Sequence, residues 1–91
     1  MYEVKPTSRF KKDMKNIAKR GYDIRLIEQI VKTLAKGKPL ASKHRDHAMS
    51  GKWAGHRNCH ITPDWILLYK IEHDILVLTL TRTGTHSDLE I

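Results

Sequence analysis

The sequence predicts an α+β domain, a β-α-α-β-β-β chain whose antiparallel sheet packs against a helical hairpin. Three observations carry this. Two amphipathic helical patterns fill residues 8–36, two apolar runs at 65–71 and 75–81 read as buried strands, and only Glu72-His73-Asp74 separates those runs. The 91 residues make one domain, 1–91, with a modest core, since a chain of this size buries about 60–65% of its unfolded surface.

Residues 2–6, YEVKP, alternate weakly and make a short first strand ending at Pro6. Thr7 or Ser8 can cap a helix over about 8–20 by accepting an orphan backbone N–H. There Phe10, Met14, Ile17 and Ala18 share one face, Lys11, Lys12, Lys15, Lys19 and Arg20 take the rest, and Gly21 is a stop. Asp23 caps a second helix, about 24–36, striped by Ile27, Ile30, Val31 and Leu34 and ended by Gly37. The short connection makes the two helices antiparallel, and their apolar faces need a sheet. Residues 37–50 form a long polar loop. Residues 51–61, GKWAGHRNCHI, read as a strand interrupted by glycines, and Thr62-Pro63-Asp64 as a turn. WILLYKI (65–71) and ILVLTLT (75–81) are apolar on both faces, as central strands are.

The formal charge is +7, from 17 Lys+Arg against 10 Asp+Glu. Such an excess favours a polyanion, whether RNA, DNA or an acidic protein segment, or is simply a basic solvated surface. The lysine-rich first helix reads either way. Cys59 is the sole cysteine, so no intrachain disulfide is expected. No stretch resembles a signal peptide or reaches the ~18 apolar residues of a membrane span, so the expected location is the cytoplasm, with no membrane partner.

Periodicity then sorts the side chains. In the second strand His56, Asn58 and His60 share one face, with Trp53, Arg57 and Cys59 on the other; in the fourth, Leu76, Leu78, Leu80 and Arg82 share a face. These two strands flank the third, ~10 Å apart, and run the same way. Their C-terminal ends coincide, which places His60, Asp64, Trp65, Arg82 and His86 at one edge. His47 enters from the opposite end, so its loop must fold back to join them.

Those residue types suit RNA cleavage by the substrate's own 2′-OH. The reaction needs a base for the 2′ proton, an acid for the departing 5′ oxygen, and positive charge on the phosphorane-like transition state. Histidine, with an unperturbed pKa near 6.5, suits both proton tasks. A guanidinium matches phosphate oxygens, an aspartate orients a histidine or acts as base, and an aromatic stacks a base. No metal or other cofactor is required, because the nucleophile belongs to the substrate. The ordinary readings stand beside these. His47 is a surface histidine, His60 and Asp64 hydrogen-bond across a turn, Arg82 is solvated, Trp65 is core, and His86 lies in a tail. His44-x-x-His47 and His56-x-x-x-His60 look like metal-ligand pairs. On a strand, however, 56 and 60 sit about 13 Å apart, too far for one ion.

Asp46-His47, Gly51-Lys52-Trp53, Arg57, His60, Pro63-Asp64-Trp65 followed by ILLYK, and Arg82-Thr83-Gly84-Thr85-His86 together resemble the YafQ-type toxins of the RelE superfamily. The resemblance covers nearly the whole chain and is densest from about 45 to 86. It implies the RelE-like fold and a ribosome-dependent mRNA endoribonuclease, with a cognate antitoxin, the ribosome and mRNA as partners. By position it matches the family's catalytic residues to His47, His60, Asp64, Arg82 and His86. His86 is then general acid, Asp64 or His47 the base, His60 an assistant and Arg82 the phosphate ligand. Trp65, Arg57 and Lys52 are expected to touch RNA. One departure is Glu90, where such toxins often carry an aromatic. A binding toxin like the gyrase-directed ParE branch, or a relative that only binds its antitoxin, are the alternatives.

Overall fold

The computed structural model describes residues 1–91. Its elements in order are β1 (Glu3–Pro6), α1 (Ser8–Lys19), α2 (Ile24–Ala35), β2 (His47–Ala48), β3 (Arg57–Thr62), β4 (Trp65–Glu72), β5 (Val77–Gly84) and a one-turn helix α3 (His86–Leu89). The sheet order is β1-β5-β4-β3-β2. The β3–β4 and β4–β5 pairs are antiparallel, as expected; β2, inside the segment expected to be loop, adds antiparallel to β3, and β1 lies parallel to β5 at the edge, where an antiparallel sheet was expected. That parallel pairing is possible because the α1–α2 hairpin, the following loop and β2 to β4 all intervene between the strands.

Local chemistry sets the boundaries. Thr7 accepts from the Phe10 amide and Asp23 from the Arg25 amide, capping the two helices. Phe10, Ile17, Ile27, Ile30 and Leu34 then bury against Cys59, Ile61, Trp65, Leu67, Tyr69, Leu78 and Leu80 of one sheet face. Ile66 and Leu68 alternate to the opposite face and are fully buried there too. No helix is long and apolar enough to cross a membrane.

Three expectations change. Residues 51–56 are not strand: Gly51–Trp53 is a 3₁₀ turn, and Gly51 and Gly55 take left-handed φ angles of 64° and 87°, which end any ladder. The last strand begins at Val77 rather than 75, leaving Ile75 and Leu76 exposed in the turn. Finally, Leu80 pairs with Tyr69 but Arg82 pairs with Leu68, so Thr81 is an extra residue in β5. This bulge reverses the alternation, and Arg82 does not share the face of Leu78 and Leu80.

β1 ends at Pro6, and beyond it the edge of β5 is covered by side and main chain of the following segment. The Thr7 amide donates to Leu80 O, the Thr7 hydroxyl donates to Thr81 O, and the Thr83 amide donates to Asp13.

Candidate active site

The register builds the site. His47, Asn58, Leu68 and Arg82 are successive Cα partners across β2, β3, β4 and β5, and His60, Ile66 and Gly84 form the next row. Partners share a face, so His47 and His60 rise from the side opposite the helices, and Arg82 starts from that row at the β5 edge before its side chain reaches round to α1. Immediately after Gly84 the chain turns into α3 and brings the His86 ring to 5.3 Å from the His60 ring, centroid to centroid. The predicted coincidence of the ends of β3 and β5 is therefore present.

The loop of His47 folds back by adding β2 to the outer edge of β3. Asp46 and His47 alternate to opposite faces there. On the helix side, Asp46 Oδ1 accepts from Tyr69 Oη at 2.6 Å and from Arg57 Nε at 3.3 Å. Burial first, and then that carboxylate, push the Tyr69 phenol well above its usual range, so it stays a donor. On the other side His47 is presented toward His60. His47 Nδ1 lies 2.7 Å from Arg45 O, and a carbonyl only accepts, so Nδ1 donates and Nε2 of the neutral ring keeps its lone pair. His44 Nδ1 donates likewise to His60 O at 2.7 Å, pinning the loop to β3.

His60 is half-buried, and its Nδ1 is buried without a hydrogen-bond partner. Desolvation, then the nearby His86, Arg45 and His47, lower its pKa from the ordinary 6.5. Each of those groups disfavours a further positive charge, so the His60 imidazole is held neutral near pH 7.

Not every predicted site residue faces the histidines. Trp65 is 0% exposed; its indole donates to Thr83 Oγ1 at 2.8 Å and meets Tyr22 edge-on, so it is core and offers no face to a base. Arg57 pairs with Tyr69 in the sheet and turns to the helix side, away from the histidines, where Asp46 engages it. Asp64 stands exposed on the β3–β4 turn and hydrogen-bonds no imidazole, so the expected orienting role falls instead to backbone carbonyls. Lys52 is exposed in the 3₁₀ turn, over the Trp53 ring. Arg82 is on the predicted edge, but its Nε and Nη2 bond both carboxylate oxygens of Asp13 at 2.9 and 3.1 Å, with side chains only 17% and 9% exposed. That hydrogen bond raises the Arg82 pKa further and turns the guanidinium toward α1.

Sequence reading missed Asp13 and Arg45, and quoted Asp46 only beside His47 in the resemblance, with no role. The first had a signal, being the only carboxylate among the basic residues of α1. Arg45 sits between His44 and His47 with φ 49°, exposed and in no ion pair, and its charge is felt at His60. Glu90 ends α3, exposed.

Comparison with known proteins adds the family. Residues 2–91 match the family model described as the bacterial toxin of a type II toxin–antitoxin system, YafQ. The mRNA interferase toxin YafQ of Escherichia coli K12 is 34% identical over 88 residues, covering 96% of this chain and 94% of that protein. A metal-bound toxin from Helicobacter pylori superposes with a TM-score of 0.92 at 38% identity, covering 98% and 99% of the two chains. YafQ in the E. coli DinJ–YafQ complex superposes at 0.89 and 33% identity, with 98% of each chain covered. With the fold shared end to end and the model matched from residue 2 onward, the chain belongs to the YafQ family of bacterial toxins.

Proposed function

We propose that this chain is a ribosome-dependent mRNA endoribonuclease, the toxin of a type II toxin–antitoxin pair. The observation that carries the reading is the meeting of three imidazoles from distant parts of the chain, with the His60 and His86 rings 5.3 Å apart and His47 one strand away. A binding surface has no need of such a cluster. The 2′ oxygen attacks phosphorus, the P–O5′ bond breaks, and the products are a 2′,3′-cyclic phosphate and a 5′-hydroxyl. His47, with its Nε2 lone pair free, takes the 2′ proton. His86 gives a proton to O5′, and neutral His60 lies between, positioned to assist either transfer. Asp64, at the same rim, is the second base candidate. Arg45 and Lys52 are the exposed cations available to the phosphate, while Arg82 acts from its anchor on Asp13. No metal enters these steps.

The net charge of +7 supports docking on ribosomal RNA, and the solved E. coli complex supports a DinJ-like antitoxin as partner. A ribosome and an antitoxin as partners both fit the cytoplasm as its location. The test is induced expression followed by mapping of 5′ ends in cellular mRNA. Wild type is expected to give discrete new ends carrying 5′-hydroxyls, and His86→Ala none. Growth arrest with intact messages would overturn the reading in favour of a binding toxin. Antitoxin binding without arrest would mark a chain that only binds. In a purified system, cleavage is expected to persist with a chelator selective for transition metals.

A further inference from the structure

His86 has no side-chain hydrogen bond of its own; its place depends on the backbone that carries it. That backbone is a four-residue helix, too short to hold itself together, because helix nucleation is unfavourable and each added bond repays little. Something else must hold it. The Asp88 carboxylate accepts from the Thr85 amide at 2.9 Å, while the Asp88 amide donates to Thr85 Oγ1 at 3.1 Å, closing a capping box around His86. The same carboxylate accepts from Arg20 Nη1 at 2.7 Å, which ties α3 to the end of α1.

The joint is tight. A Cβ at Gly84 would lie 2.9 Å from both Cβ and Oδ2 of Asp88, so the end of β5 and the carboxylate are in direct contact. It also stands on the core. The Arg20 guanidinium lies over the Tyr22 ring, 5.4 Å from its centroid, and Tyr22 meets Trp65 at 5.2 Å. The Thr85 and Arg20 bonds hold the Asp88 carboxyl below the usual range, so the clamp stays charged near neutral pH.

We propose that Asp88 is the positioning residue for His86, fixing through Thr85, Gly84 and Arg20 the place of the ring that protonates the leaving oxygen. The chemical half of this statement rests on the endoribonuclease reading; the geometric half does not. Asp88 is then no repulsive charge facing the RNA, since Arg20 neutralises it. Trp65 gains a role as well, as the buried wall behind the clamp.

The experiment compares wild type with Asp88→Ala, Asp88→Glu and Arg20→Ala in two measurements. One is cleavage of a defined mRNA on programmed ribosomes, resolved into kcat and KM. The other is the cross-peak between the His60 and His86 rings in NMR spectra of the free protein. Asp88→Ala is expected to lower kcat at least tenfold with KM within twofold, and to lose the cross-peak. Asp88→Glu is expected to recover most of both, because glutamate serves the same capping-box position. Arg20→Ala, which leaves the box intact, is expected to fall between, and it keeps the test open if Asp88→Ala does not fold. An unchanged cross-peak and a kcat within twofold of wild type in both alanine variants would overturn the proposal. So would an Asp88→Glu protein no better than Asp88→Ala. If wild type cleaves nothing, the endoribonuclease reading fails, and the cross-peaks alone still decide whether Asp88 places His86.

Discussion

His60 and His86 are neighbours in space and opposites in support. His60 sits within β3, paired with Ile66 of β4 on one side, with its own carbonyl bonded by the His44 side chain. His86 sits on one turn of helix just past β5, held by one carboxylate and a threonine. The first is placed by the sheet and moves only if the sheet moves. The second is placed by polar side chains, whose bonds to partly exposed groups are individually weak and easily opened. A site built this way has one rigid wall and one wall that can be tuned by single substitutions. His47 falls between, on a two-residue strand anchored through Asp46 to Tyr69 and Arg57.

The largest loss is expected at the imidazoles. Under the proposed reaction, His86→Ala is expected to lower kcat by about 10²–10⁴-fold, the usual share of a general acid, with little change in Tm. A variant within fivefold of wild type in a ribosome cleavage assay would remove His86 from the chemistry.

The two arginines differ in the same way. Arg82→Ala strands the nearly buried Asp13 carboxylate, so it is expected to cost about 2–4 kcal/mol and lower Tm by roughly 10–20 °C. Thermal unfolding of Arg82→Ala beside Asp13→Asn/Arg82→Gln checks this, since the double variant leaves no lone charge and should recover part of the loss. Arg45→Ala, in contrast, is expected to cut cleavage about tenfold with Tm unchanged. Equal Tm losses in the two alanine variants would show that both are structural.

The tether of His47 gives a smaller effect. Tyr69→Phe removes one donor to Asp46 from a well-packed site and is expected to cost about 1 kcal/mol. Cleavage should fall severalfold, with the loss in kcat. A drop in KM-dependent binding alone would separate Asp46 from His47.

The smallest effect is in pH. His60 binds its proton less readily folded than unfolded, so the unfolded chain takes up more protons below about pH 6.5. Stability therefore rises with pH through the interval just below 6.5 and flattens above it. Denaturant midpoints measured from pH 5 to 7.5 should show that slope, and His60→Gln should reduce it. A slope unchanged in the variant would place the proton uptake elsewhere.

Much of this was legible from residue order. The stripes of α1 and α2, the two apolar strands and the Pro63-Asp64 turn all follow from periodicity and turn chemistry, and antiparallel order alone brings His60 and His86 to one rim. The Thr81 bulge was not legible, because Leu78, Leu80 and Arg82 keep an unbroken alternation through it. β2 was not, because two paired residues carry no period. Trp65 stood open between core and stacking platform; its full burial, with Thr83 Oγ1 within reach of its indole N–H, decides for the core. Asp13 lay hidden in a helix whose charge reads as solvated, though a lone acid among lysines is a cue for an internal partner.

The two borders of the sheet carry one more consequence. One finishes in β1, four residues long, and past Pro6 the side chains of Thr7 and Asp13 occupy the β5 backbone groups a further strand would seek. The other finishes in β2, only two residues long. Neither offers a long open ladder, so this basic protein should remain monodisperse when concentrated, without fibre growth by strand addition.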